Sequence, residues 1–162
     1  MFGAQLWNVW DAFYLATDDW LIVTFGREPF DFARLFERQT AGTPAIRPVS
    51  LALSQLANAL AGDLIQPRLA MNLMWHLWAG AALFLFLDGV FGRRVRAAFA
   101  TAAFLAWPLH GEMLAWFHSG HTMLPVAALT LSALAAYARG HRWTSVVFLT
   151  IALLTRENAV AA

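Results

Sequence analysis

The stretch "PRLAMNLMWHLWAGAALFLFL", residues 67 to 87, decides how the rest of the chain is read. As a helix it rises about 31 Å at roughly 1.5 Å per residue, enough to cross the hydrocarbon core of a bilayer. Composition agrees with a membrane environment. The chain of 162 residues is 60% hydrophobic and 13% charged, with a mean hydropathy of +0.55, too apolar for an ordinary soluble domain. A net charge of +1 gives no sign of a nucleic-acid partner. The absence of cysteine excludes disulfides, thiolate catalysis and thiol metal sites.

Working outward, "RRVR" at 93 to 96 leads into "AAFATAAFLAW", which ends at Trp107 and crosses if its arginines snorkel and Trp107 sits at the interface. A third span is expected over 122 to 138, and "ARGHR" turns the chain into a fourth over 143 to 154. The spacings Ala98 with Ala102 and Ser132 with Ala136 suit close helix packing in lipid. Arg93, Arg94 and Arg96 in one turn, and Arg139 and Arg142 in the other, place both turns on the cytoplasmic side by the positive-inside rule. Residues 1 to 66, the turn "HGEMLAWFHSGH" and the end "TREN" then share the external face.

Upstream, the sequence differs in kind. Residues 17 to 66 carry charges and prolines, with "TAGTP" as a loop signal. Within this first external loop, 47 to 61 places Val49, Leu53, Leu56 and Leu60 at helical spacing, with Ser50, Ser54 and Asn58 elsewhere and Gly62 as a stop. It is expected to lie as an amphipathic helix in the interface, a full crossing being the alternative. The N-terminus has no basic residue before Arg27, unlike a cleavable signal peptide. Residues 1 to 16 read as the end of a missing first membrane helix, and the chain as a fragment of a larger protein. The expected fold is an all-α, polytopic transmembrane helical bundle: the first external loop over 17 to 66, then four spans of a truncated membrane domain over 67 to 162.

Several groups can do chemistry. Asp18 and Asp19 stand side by side ahead of Trp20. Adjacent carboxylates can divide labour, one taking a proton from an incoming hydroxyl while the other helps to hold a divalent cation; an Asp cap beside a helix end is the plainer alternative. His110 and Glu112, one residue apart, can converge on an ion or phosphate, or simply be a solvated loop. His118 and His121 fall nearer to the edge of a span. Asn72 and His76 sit four apart on one helical face, where polar groups in a bilayer meet a cavity or bond a neighbouring helix. Arg156, beside Glu157, can pair with it, snorkel, or make bidentate contact with phosphate, and Arg47 in "IRPVS" can snorkel or reach phosphate. The joint placement of these groups on one predicted face is the strongest functional signal.

The order "RPVSLALSQLANALAG", "AMNLMWHLWAGAALFLFL", "WPLHGEMLAW", "LLTRENAV" resembles the N-terminal half of the GT-C glycosyltransferases. It is most similar to the O-mannosyltransferase-like branch that often carries C-terminal tetratricopeptide repeats. Trp107, Ile46 and "TRE" stand where that branch shows His, an aromatic residue and "SKE". The resemblance implies a polytopic enzyme of the bacterial inner membrane that faces the periplasm or exterior. It would take a sugar from a polyprenyl-phosphate donor and pass it to a protein or glycan acceptor. By the same likeness Asp19, with Asp18, is the catalytic base. His110, Glu112, Arg156, Glu157, Arg47 and His76 are substrate-binding, and a divalent cation would sit on Glu112 and Asp18. Two other classes are open: a transporter or flippase segment, which should carry ionisable groups near the bilayer middle, and a non-catalytic membrane subunit.

Overall fold

The computed structural model describes residues 47–62, 64–107, 114 and 117–156, and for 117–119 the backbone alone. Among them all regular structure is helical: α1 (Pro48–Ala61), α2 (Ile65–Phe91), α3 (Arg94–Leu105), α4 (Phe117–Ala138) and α5 (Arg142–Thr155). Two of these, Ile65–Phe91 and, within α4, Gly120–Ala138, are long and apolar enough to cross a membrane.

Short turns force antiparallel neighbours. The α2–α3 turn rests on Gly92, at φ 60° and ψ 23°, whose N–H donates to the Asp88 carbonyl; a side chain there would strain the left-handed backbone. The α4–α5 turn closes on Gly140 at φ 80°. Gly140 N–H donates to Tyr137 O at 2.9 Å and His141 N–H to Ala136 O at 2.9 Å, the paired bonds of a Schellman motif. The exposed arginines of both turns, 93, 94, 96, 139 and 142, therefore lie at one end of the helices.

α2 and α4 run in the same direction and form the principal contact, with α5 packed on α4 and α3 on α2. Small residues allow close approach of the helices. Ala79 and Ala128 are fully buried in a cluster with Trp75, Leu114 and Leu124. A Cβ on Gly80 would meet the Leu105 side chain at 2.6 Å, so the absence of a side chain at position 80 lets Leu105 of α3 seat directly on α2.

Three expectations are refined. α3 has 12 residues, a rise of about 18 Å, and its last residue rests against α2 at His76 and Gly80, part-way along that helix. Pro108 follows Trp107 in sequence and drives the preceding residue out of the helical region, which ends the helix there. The buried face of α3 carries Ala97 and Thr101, whereas Ala98 and Ala102 are exposed; the small-residue spacing holds, and the packed face is offset by one residue. α1 buries Pro48, Ser50, Ala57 and Ala61 and leaves Leu56 and Leu60 exposed. Its small and polar side thus meets the bundle, and these two leucines point away from it.

Candidate functional site

α2 carries three polar residues on one stripe, Arg68, Asn72 and His76, four residues apart. Their exposures are 1%, 1% and 0%, so the stripe points wholly into the protein. Each reaches a different piece of chain. The Arg68 guanidinium donates to Asn58 Oδ1 of α1 and, at 2.5 Å, to the Gly62 carbonyl just beyond it. A cation here satisfies a side-chain amide oxygen on α1 and the carbonyl just beyond its end, a backbone group that a helix terminus otherwise leaves open. Asn72 Nδ2 donates to Leu114 O at 3.4 Å, and His76 Nε2 lies 3.3 Å from Leu105 O with its ring stacked on Phe104 at 5.5 Å. Asn72 Oδ1 and the neighbouring Trp75 Nε1 are buried with no hydrogen-bond partner among the described residues.

The other helices complete the group at the same end of the bundle. His121 of α4, 2% exposed, shares a 2.7 Å hydrogen bond through Nε2 with Ser54 Oγ of α1, its direction set by the imidazole tautomer. Pro125, fully buried in α4, brings no N–H to the His121 carbonyl four residues back. Arg156 caps α5, and its Nη1 donates to Thr122 Oγ1 of α4 at 3.2 Å. Thr155 is wholly buried and bonds back to Ile151 O at 2.8 Å. Four helices thus send polar side chains into one end, away from the arginine turns.

Of the residues singled out from sequence, Asn72, His76, His121 and Arg156 belong to this group. Arg47 precedes α1 as its N-cap, without a side-chain capping bond. Asp18, Asp19, His110, Glu112 and Glu157 lie outside the described residues, as does the side chain of His118. The proposed cation ligands Asp18 and Glu112 are among these, and the described residues contain no cluster of three or more potential ligands. Leu105 and Leu114, which flank "HGE", both rest on the α2 stripe.

Arg68 is the residue that sequence reasoning passed over. Its signal was the R-x-x-x-N-x-x-x-H spacing, which extends the Asn72–His76 face by one turn. Ser54, which the helical spacing sets apart from the apolar positions of α1, joins His121 across 67 residues of sequence. Comparison with family models, curated proteins and solved structures finds no match to the chain.

Proposed function

We propose that this chain is the N-terminal part of a multi-pass membrane glycosyltransferase of GT-C type, working on the face opposite the arginine turns. The observation that supports it is the gathering of Arg68, His121 and Arg156 toward the end of the bundle remote from those turns, with His76 two turns further along α2. Polar and ionisable groups inside a membrane domain are costly and mark functional paths. The wide exposure of Leu60, Val95, Phe99 and Trp143 is an aggregation hazard in water and natural in lipid. Placed in the bacterial inner membrane, the active face looks toward the periplasm.

In this proposal Asp19, assisted by Asp18, takes the proton of an acceptor hydroxyl on a protein or glycan. The oxygen attacks the anomeric carbon of the donor sugar as the bond to the polyprenyl phosphate breaks. The leaving phosphate gains negative charge, which Arg156 and Arg47 offset; Glu112 and Asp18 would hold a divalent cation, which would supply further positive charge there. His110, Glu157 and His76 orient the donor, since holding reactants in line supplies a large part of such catalysis.

The test is sugar transfer from a synthetic polyprenyl-phosphate mannose by the full-length parent. Asp19→Asn should lower the rate by about 100-fold or more, the usual worth of a positioned general base. Asp88→Asn, at the arginine end, should leave it unchanged. Full activity in Asp19→Asn would remove the base assignment. Translocation of a labelled lipid with no transfer product would replace the enzyme by a flippase.

A further inference from the structure

At the opposite end of the bundle a cleft of about 320 Å³ runs between α2, α4 and α5. Its walls are Trp78 and Leu85 on α2, Ser132 and Ala136 on α4, and Phe148 on α5, with Arg139 at one end. The polar groups of the wall itself are occupied within the protein. Trp78 Nε1 donates to Ser132 Oγ at 3.1 Å, and Ser132 Oγ donates to Ala128 O at 2.7 Å. The surface that remains is hydrocarbon in character.

Arg139 gives the cleft its polarity. Its Cγ stands 3.8 Å from where a Cβ on Gly89 would be, so its stem lies along α2. Arg139 is exposed, and its guanidinium has no carboxylate or hydrogen-bond partner among the described residues. The one acidic group at this end among those residues, Asp88, is 3.9 Å from Arg94. An apolar channel that ends in a guanidinium with no partner among the described residues, with Arg142 and Arg93 exposed at the same end, is complementary to a molecule with a hydrocarbon chain and a phosphate.

We propose that this cleft binds an anionic phospholipid of the leaflet on the arginine side, one acyl chain between α2 and α4 and its phosphate on Arg139. Only membrane insertion of α2 and α4 is required; sugar transfer is not. A guanidinium grips phosphate through paired N–H donors while its methylene stem stays on the helix surface. Ala81 on α2 also lines the cleft and is exposed, so a large side chain there would fill the channel without disturbing the packed core.

The experiment is native mass spectrometry of the full chain from detergent, supplied with equal phosphatidylglycerol and phosphatidylcholine of matched chains. The wild type should retain phosphatidylglycerol about fivefold over phosphatidylcholine, the effect of one arginine at a membrane surface. Arg139→Gln should abolish that preference, Arg139→Lys should keep part of it, and Arg142→Gln should keep it whole. Ala81→Phe should lower retention of both lipids. Equal retention by the wild type, an unchanged preference in Arg139→Gln, or unchanged retention in Ala81→Phe would each overturn the proposal. So would displacement by soluble glycerophosphoglycerol, which would assign binding to the headgroup alone. Loss of lipid preference with sugar transfer intact, or the reverse, separates this site from the proposed catalytic one.

Discussion

Arg68 shows how one residue ties two helices together. Its guanidinium replaces water at the Asn58 amide oxygen and at the Gly62 carbonyl, and a hydrogen bond to a charged group contributes about 1.5–3 kcal/mol. Arg68→Met should therefore lower stability in detergent by about that amount, measured by thermal unfolding. Arg68→Lys should recover only part, because an ammonium lacks the planar fork. The bond between His121 and Ser54 is worth less on its own. A double-mutant cycle with His121→Phe and Ser54→Ala should give a coupling of about 0.6 kcal/mol, the average for hydrogen bonds between membrane helices, and no more than about 1.7 kcal/mol. A coupling of zero would mean that the two residues merely lie near each other.

At the scale of elements, the α2–α3 contact turns on volume. Leu105 occupies the space that a side chain at Gly80 would need, its Cδ2 and Cγ standing 2.6 and 2.9 Å from where a Cβ would lie. Gly80→Val should destabilise by about 1–3 kcal/mol, the usual effect of overpacking. The added change Leu105→Ala should restore part of that loss, a non-additivity expected of residues in contact. Purely additive effects of the two changes, read from unfolding midpoints, would show that the helices do not meet there. The α4–α5 turn makes a similar demand on the backbone. Gly140→Val should weaken it through the positive φ of 80°, which a β-branched residue adopts only under strain.

At the scale of the whole molecule, the arginine turns and the buried polar group stand at opposite ends. The absence of cysteine makes this accessible to a direct measurement. Single cysteines at Asp19, Arg94, Glu112, Arg139 and Glu157 in intact cells, treated with a membrane-impermeant maleimide, should label at 19, 112 and 157 and stay dark at 94 and 139. Labelling of 19 and 112 from opposite sides would show that they cannot build one site, and the glycosyltransferase proposal would fall.

Much of this architecture was legible in the residues because it depends on short-range chemistry. The length and apolarity of 67–87, the glycines after two helices, the arginines clustered beside them and the shared face of Asn72 and His76 all follow from helical periodicity and local backbone preference. The partners do not. That His121 meets Ser54, that Arg156 meets Thr122, and that Arg68 is buried under α1 depends on elements far apart in sequence packing side by side. The face of α3 shows the boundary most sharply. Both Ala97 with Thr101 and Ala98 with Ala102 have the right spacing, and the choice between them was made by which side met the empty surface of Gly80 on α2. A helix's own sequence sets which residues share a side, while the neighbour that covers that side is selected by the shapes of all the surfaces competing for it.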